Sequence, residues 1–368
     1  MKIKTNQVKM KKSAYKSGII ILLTLLLLPF TIKAAEVSKE FHKEYKAGPA
    51  TTLGIDNKYG DVVIQSWDKN QVVIDVKIIV DLPDKEKAQK LLDMIDVDFT
   101  EGNDLITAKT VIDNKFSFTG WGGESKKFSI NYNVKMPSAT ALNLSNKYGD
   151  SDIDELHGLV NINVRYGNLE AGKLTRENEK PLNKINLAYG KADIDQAGWL
   201  DLTLRYSGEF SLDKCQAILL DSKYSKLSVG DASSLVGNSK YDNIRIDKIN
   251  NLVLDNGYCD VRIGELTKKL TYNGSYGSFE VETIPSGFED LETDTRYIGV
   301  KLGIDDNASY KLDAKLSYGG LKYNEDKFKN QRRIVESNRS EISGTVGDET
   351  SPTAVVNVTS AYGSVKLY

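Results

Sequence analysis

The chain has 368 residues, of which 27% are charged and 40% hydrophobic, with two cysteines and two histidines. With only His42 and His157 available, a histidine-based metal site or catalytic triad is not expected. The first 34 residues carry seven lysines and no acids, so residues 35–368 hold 42 basic and 51 acidic side chains and a net charge of −9. Such an acidic chain is not expected to bind nucleic acid through its phosphates.

Residues 1–34 have the pattern of a secretory signal peptide. Six lysines precede an apolar run from Gly18 to Phe30, and small residues follow at Ala34 and Ala35. The run is shorter than the ~20 apolar residues of a membrane-spanning helix. We therefore predict export, with the bacterial periplasm, the cell surface and secretion all open, and no membrane span after removal of the signal. A lipid anchor is not expected, because no cysteine follows the apolar run.

Residues 35–140 predict a β-rich capping region. One amphipathic helix is expected near 84–95, where Pro and Asp begin the segment and apolar residues share one face. Strands are expected at 71–80, 96–99, 105–111, 115–119 and 127–135, and a turn at 120–125. A repeat protein needs an atypical unit of this kind because its first coil would otherwise expose an unpaired edge.

A tyrosine-centred phrase returns every 17 to 23 residues across residues 141–323. Its tyrosines are Tyr148, Tyr166, Tyr189, Tyr206, Tyr224, Tyr241, Tyr258, Tyr276, Tyr297 and Tyr318, with outlying copies at Tyr59 and Tyr362. Glycine follows the tyrosine in seven of these twelve copies. Self-similarity at such a period is the signature of a repeat architecture.

Apolar residues alternate on both sides of each tyrosine, which predicts two short strands per repeat with one buried face. The fold class expected is all-β, as a single-stranded parallel β-solenoid with two-strand coils of about 17–23 residues. A meander of antiparallel hairpins is the alternative, but it would need tight two-residue turns in every copy. Each tyrosine lies an even number of residues after the apolar positions of the strand before it, which predicts that its side chain points toward the buried face. The frequent glycine after it predicts a corner of the backbone, where a Cβ on that residue would be crowded.

After Tyr318 the regular spacing of the repeat is interrupted. Residues 324–352 are charged and polar and predict an inserted loop or hairpin, and residues 353–368 restore one final coil around Tyr362.

The tyrosine ladder, defined as the ten tyrosines from Tyr148 to Tyr318 with Tyr59 and Tyr362, has two interpretations. It is either an aromatic platform on which a sugar or another partner stacks, or a structural column of stacked rings whose hydroxyls reach water. The assumed phase with the core favours the structural interpretation.

The residue before the tyrosine is often basic and predicts a basic stripe along one edge. Its members are Lys58, Lys147, Arg165, Arg205, Lys223, Lys240 and Arg296. A stripe could engage an anionic polymer, but charge pairing with Asp61, Asp150 and Asp260 of neighbouring coils is the favoured interpretation.

The remaining polar features predict no cofactor, metal or catalytic site. Asp150, Asp152 and Asp154 alternate outward from a buried strand and are typical of a solvated face. Cys215 and Cys259 lie in different columns of the repeat, too far apart for a disulfide, and both are interpreted as small buried residues.

The phrase Asn-Lys-Tyr-Gly-Asp-x-x-Ile at 57–64 and again at 146–153, with Lys-Met-Pro at 135–137, resembles a bacterial family of unknown function called "putative adhesin". That family is related to the head domain of auto-transporter adhesins. The resemblance implies an exported, non-enzymatic β-solenoid that binds a surface ligand, either a glycan or a host or envelope protein. Two alternatives stay open: a self-assembling envelope scaffold, and a polysaccharide-acting β-helix enzyme.

Overall fold

The computed structural model describes residues 35–113, 128–176 and 180–368. The predicted signal peptide (1–34), the strand at 115–119 and the turn at 120–125 lie outside the described residues. Within the described residues, every element is a β-strand apart from one α-helix and a 3₁₀ turn at Glu325–Lys327. The strands are joined by hydrogen bonds into one 23-stranded sheet with both parallel and antiparallel pairs.

The strands are β1 (Ala35–Lys46), β2 (Thr52–Lys58), β3 (Val62–Trp67), β4 (Gln71–Leu82), β5 (Ile95–Glu101), β6 (Leu105–Ile112), β7 (Phe128–Pro137), β8 (Ala141–Lys147), β9 (Ser151–Ile153), β10 (Val160–Arg165), β11 (Leu169–Leu174), β12 (Asn183–Ala188), β13 (Lys191–Arg205), β14 (Glu209–Lys223), β15 (Lys226–Lys240), β16 (Asn243–Ile284), β17 (Asp290–Ile304), β18 (Tyr310–Ser317), β19 (Leu321–Lys322), β20 (Phe328–Glu336), β21 (Arg339–Val346), β22 (Val355–Ala361) and β23 (Val365–Leu367). The helix α1 is Lys85–Leu92.

Equivalent residues of successive repeats pair in parallel. Leu202 of β13 faces Leu220 of β14, and Phe210 of β14 faces Leu227 of β15. The pairing sets each apolar position beside its counterpart, so the inward side chains form one continuous core along the sheet. The sequence alternation is thereby explained: in repeat strands such as β10 the inward positions are buried, and the outward positions meet solvent.

The N-terminal region departs from the parallel pattern. Strand β4 lies between β1 and β7 in antiparallel order, and β5 pairs with β6 in the same way. Helix α1 begins at Asp84, whose carboxylate accepts hydrogen bonds from two backbone N–H groups of the first turn. It buries Ala88, Leu91 and Leu92, and it packs against β1 and β4. The helix thus lies within the range that the sequence predicts.

The last strands do not lie at the end of the sheet. Strand β22 is inserted between β17 and β18 and pairs in parallel with both. The expectation that residues 353–368 would form the terminal coil is therefore wrong about spatial order. Residues within 324–352 form the hairpin β20–β21, which adds to β18 in antiparallel fashion.

The free edge at this end is strand β20, which carries two neighbouring exposed charges. Arg332 and Arg333 pair in register with Ser343 and Ile342 of β21, and both arginines are exposed. Charged side chains on an edge strand oppose pairing with another chain. We expect Arg332→Thr with Arg333→Val to associate in a concentration-dependent way, because the change leaves a β-prone edge next to the exposed Val335.

Sedimentation velocity across a hundredfold range of protein concentration measures this effect against the parent chain. Lys226→Thr is the control, since Lys226 is exposed but begins β15, which is paired on both sides. A double variant with the parent's sedimentation at every concentration would contradict the role given to Arg332 and Arg333.

Three buried tyrosines make stability depend on alkaline pH. Burial raises the pKa of Tyr132 and Tyr272 above the ordinary 10.0, and raises the pKa of Tyr310 to about 12. The folded phenols keep their protons where the unfolded ones lose them. Their contribution is therefore complete below about pH 10 and is lost as the pH rises toward the folded pKa.

The variant Tyr310→Phe isolates one of these groups, because its hydroxyl makes no side-chain hydrogen bond among the described residues. We expect the free energy of unfolding of the parent to fall, relative to this variant, by up to ~1.4 kcal/mol per pH unit between pH 10 and 12. Urea unfolding at half-unit pH steps measures it. A constant difference between the two proteins would rule the linkage out.

Candidate functional site

Every tyrosine of the ladder has a left-handed backbone. The φ angles of all twelve lie between 52 and 66°, a region that few non-glycine residues enter. Strand β8 shows the consequence: Leu142, Leu144 and Asn146 are buried in alternation, and Tyr148, two residues further on, is exposed. The prediction that the tyrosines are in phase with the core is wrong, because the left-handed residue reverses the side-chain alternation and turns the ring outward.

The rings stack without interruption from one end of the sheet to the other. Eleven consecutive pairs have centroids 4.7 to 5.2 Å apart and interplanar angles of 1 to 15°. The order follows the chain except at the end, where Tyr362 stacks between Tyr297 and Tyr318 because β22 is inserted there. The ring spacing is that of neighbouring β-strands.

Stacking decides which part of each ring is available to a partner. Eleven of the twelve side chains are 40 to 57% exposed, and Tyr59 is half-buried. Since neighbouring rings cover each other's faces, only the ring edges and hydroxyls meet solvent. The ladder offers a row of phenol groups that both donate and accept hydrogen bonds. A sugar stacked on an open ring face, as in the platform interpretation, has no room within the row.

The glycines after the tyrosines allow the backbones of successive repeats to touch. A Cβ on Gly149 would overlap the carbonyl oxygen of Gly60, and a Cβ on Gly167 or Gly190 would overlap the carbonyl of the preceding glycine in the column. The crowding that the sequence predicts is present, although the left-handed residue is the tyrosine and the glycine follows it.

In the middle of the sheet, the position after the tyrosine holds small polar residues that form a hydrogen-bonded column. This column was not predicted from the sequence. The backbone N–H of Ser207 donates to Ser225 Oγ at 3.1 Å, and that of Ser225 donates to Asp242 Oδ1 at 2.6 Å. Ser239 Oγ donates to Asp242 Oδ2 at 2.6 Å, and Cys259 Sγ lies 3.4 Å from the N–H of Asp242. All these residues are buried, so the residues that stand in place of glycine here hold the corner through hydrogen bonds.

The basic stripe lies directly beside the ladder. Lys147 Nζ is 4.7 Å from the ring centroid of Tyr148, and the guanidinium carbon of Arg296 is 5.5 Å from that of Tyr297. A cation this close to an aromatic ring stabilises the row. Among the described residues, the only ion pair of a stripe member joins Arg205 to Asp221.

The expected pairing of the stripe with Asp61, Asp150 and Asp260 is therefore wrong. These carboxylates accept hydrogen bonds from the next repeat instead: Asp61 from the N–H of Asp150 at 2.9 Å, Asp150 from the N–H of Asn168 at 2.7 Å, and Asp260 from Ser278 Oγ at 2.6 Å. Asp150, Asp152 and Asp154 are exposed, in accord with their outward alternation. Apart from Arg205, the stripe cations have no ion pair among the described residues and can meet an external anion.

The described residues contain no group of three or more His, Cys, Asp or Glu side chains placed to hold a metal. His42 lies on an exposed face, 2.6 Å from Asp75 and 3.1 Å from Glu44, and hydrogen bonds to both carboxylates raise its pKa. Both cysteines are free and buried, and burial raises the pKa of the Cys215 thiol to about 12. A thiol of this kind is inert at neutral pH.

Fold and site together define an all-β repeat protein with an exposed aromatic column. No protein-family model matches the sequence, and no curated protein matches it. The solved structures to which it is similar include a "putative cell adhesion protein" from Clostridium sporogenes, with 11% identity, 89% of this chain and 99% of that one covered, and a TM-score of 0.20. Two "putative adhesins" from Parabacteroides merdae and Bacteroides fragilis have 13% and 12% identity, cover 90% of this chain and 96% and 97% of theirs, and have TM-scores of 0.30 and 0.29.

TM-scores of this size do not establish a shared overall shape. The resemblance to the adhesin family noted in the sequence stays a prediction. Among the described residues, the single helix has eight residues, and no helix is long and apolar enough to span a bilayer.

Proposed function

We propose that the chain is an exported, non-enzymatic binding protein of the adhesin type, which contacts an extended surface ligand along the tyrosine ladder and the basic stripe. One observation carries the proposal: twelve stacked, partly exposed tyrosines form an unbroken row of hydroxyls beside basic side chains that, apart from Arg205, have no ion pair among the described residues. Many weak contacts along such a row add up to tight attachment when the ligand is itself repetitive.

The proposed architecture is a parallel β-solenoid over residues 141–323, with the coil at 353–368 inserted between β17 and β18. Its support is the parallel pairing of equivalent residues and the constant ring spacing along the ladder. The region 35–140 is proposed as its cap, residues 324–352 as an insertion that covers the far edge, and residues 1–34 as a signal peptide that directs export. A rigid rod of this kind would hold the row of phenols straight.

The test uses two variants that keep the fold. Tyr189, Tyr206, Tyr224 and Tyr241 are changed to phenylalanine, which preserves the stacked rings and removes only the hydroxyls. In the second variant Lys223 and Lys240 are changed to glutamine. Purified protein is screened on immobilised extracellular-matrix proteins and polysaccharides, and bound ligands are titrated by surface plasmon resonance.

We expect the phenylalanine variant to lose most of the binding and the glutamine variant to lose its salt-dependent part. A ligand that binds both variants as well as the parent would show that it is held elsewhere. Failure of the parent to bind any surface ligand would favour the envelope-scaffold alternative.

A further inference from the structure

A concave face lies on the outer side of five neighbouring parallel strands, β6, β2, β8, β10 and β12. It encloses a groove of about 620 Å³. In register across the groove, Gly54 faces Asn143, Asn143 faces Asn161, and Asn163 faces Asn186. The groove is about three to five residues from the tyrosines along each strand, which is ~10 Å or more, and it is therefore a separate surface.

Four primary amides in this groove have no hydrogen-bond partner among the residues that the structure describes. Asn143, Asn161 and Asn163 are exposed, Asn186 is half-buried, and none of their side chains makes a hydrogen bond to another described residue. Asparagines elsewhere in the chain behave differently. Asn146, one residue beyond Ser145 on β8, is buried and donates to the carbonyls of Gly149 and Asp150 at 3.1 and 2.9 Å.

Some polar side chains of the outer face beyond the groove have internal partners. Asn273 donates to Asp255 Oδ1 at 2.8 Å, and Arg205 pairs with Asp221. On the concave stretch, four unpartnered amides lie together on three adjacent strands, β8, β10 and β12. Gly54 places no side chain in that stretch, and a Cβ there would lie 3.4 Å from Thr107 Cγ2 and 3.7 Å from the carbonyl oxygen of Ile106.

Only side chains can contact a ligand here. Strands β2, β8, β10 and β12 are each hydrogen-bonded on both sides, so no backbone edge is available to a peptide. An amide side chain offers two donors and one acceptor oxygen in a plane, a set that matches neighbouring hydroxyls, each of which also donates and accepts.

The charge of the groove selects against anionic polymers. Its ionisable lining residues are Asp56, Lys109 and Lys184, and Lys184 lies 3.7 Å from Asp201. Because Lys184 is paired with Asp201, the charges of Asp56 and Lys109 remain, and they cancel to leave a nearly neutral surface. We propose that this groove is a binding site for a neutral, hydroxyl-rich ligand, a glycan chain lying across the strands. The inference adds a second site and a ligand class to the proposed binding role.

The experiment is a glycan array of neutral oligosaccharides built from glucose, mannose, xylose, galactose and N-acetylglucosamine, with sulfated and sialylated glycans as charged comparators. The best neutral oligosaccharide is then titrated by calorimetry against three proteins besides the parent. Asn161→Ala with Asn163→Ala removes two groove amides, Gly54→Val fills the groove, and Asn238→Ala with Asn357→Ala removes two exposed amides of the same outer face outside it.

We expect both groove variants to weaken binding at least about tenfold, as the loss of two neutral hydrogen-bonding groups implies, and the control pair to bind as the parent does. Equal affinity of the groove variants and the parent would overturn the site. An array on which neutral glycans are not retained would overturn the ligand class. Neither result bears on binding to the tyrosine ladder, because the phenylalanine variant tests the proposed function independently.

Discussion

Changing Gly167 to alanine is expected to cost about 3 kcal/mol of unfolding free energy or more. The added Cβ would overlap the carbonyl oxygen of Gly149, which is backbone held in the adjacent strand. The hydrogen bond from Tyr166 N–H to the Ala188 carbonyl, at 3.0 Å, fixes the strand spacing on the other side. Overpacking against side chains costs ~1–3 kcal/mol, and here a backbone atom that cannot rotate away is the obstacle.

The matched control is Gly299→Ala, which lies inside β17 two residues after Tyr297. A Cβ on Gly299 would have no neighbour within 4 Å. We expect this change to be neutral or to stabilise by up to ~1 kcal/mol, through the reduced entropy of the unfolded chain. Urea unfolding followed by circular dichroism compares the two. Similar losses at both positions would mean that the glycines matter for chain flexibility and not for close approach.

The class of the fold could be predicted from the sequence because burial enforces it locally. Alternation such as Leu202/Leu204 needs only an extended strand with one buried face, and the structure pairs these residues with their counterparts in the next repeat. Crowding after the tyrosine was likewise visible in the repeated glycines. Both features repeat many times, and repetition separates a structural requirement from chance.

Side-chain direction at the tyrosines could not be predicted by counting. Counting alternate residues assumes that the backbone is extended throughout. A single left-handed residue such as Tyr148 reverses the side of the sheet to which the side chains point, from that residue onward. Tyrosine has no intrinsic preference for this region of backbone conformation. The information lies in the packing of the next repeat, which a local pattern does not contain.

The periodic pattern also could not predict the order of the strands in the sheet. Tyr362 carries the same phrase as the other copies, so the phrase identifies a repeat but not its neighbours. The insertion of β22 between β17 and β18 depends on the hairpin β20–β21, which occupies the outer edge of β18. The groove was missed for a related reason: Asn143, Asn161 and Asn186 are ordinary outward residues in sequence, and only their register on adjacent strands brings them together.

Replacing Tyr189, Tyr206, Tyr224 and Tyr241 with alanine is expected to destabilise the protein by about 5 kcal/mol. The four changes remove five consecutive stacked pairs, from Tyr166–Tyr189 to Tyr241–Tyr258. Each aromatic pair is worth ~0.5–1.5 kcal/mol beyond the area that it buries. Alanine and tyrosine both carry a Cβ, so the cost of the left-handed backbone is the same in both proteins and the difference reports the rings.

The phenylalanine variant of the same four positions is the control, because it keeps the stack and loses only hydroxyls that face water. We expect its unfolding free energy to stay within ~1 kcal/mol of the parent, since substitutions at exposed groups are usually small. Urea unfolding of the three proteins measures both effects. If alanine were tolerated as well as phenylalanine, stacking would contribute nothing to the fold. The uninterrupted row of twelve rings would then require an explanation in what it binds, and the ladder would become the first surface to test with each candidate ligand.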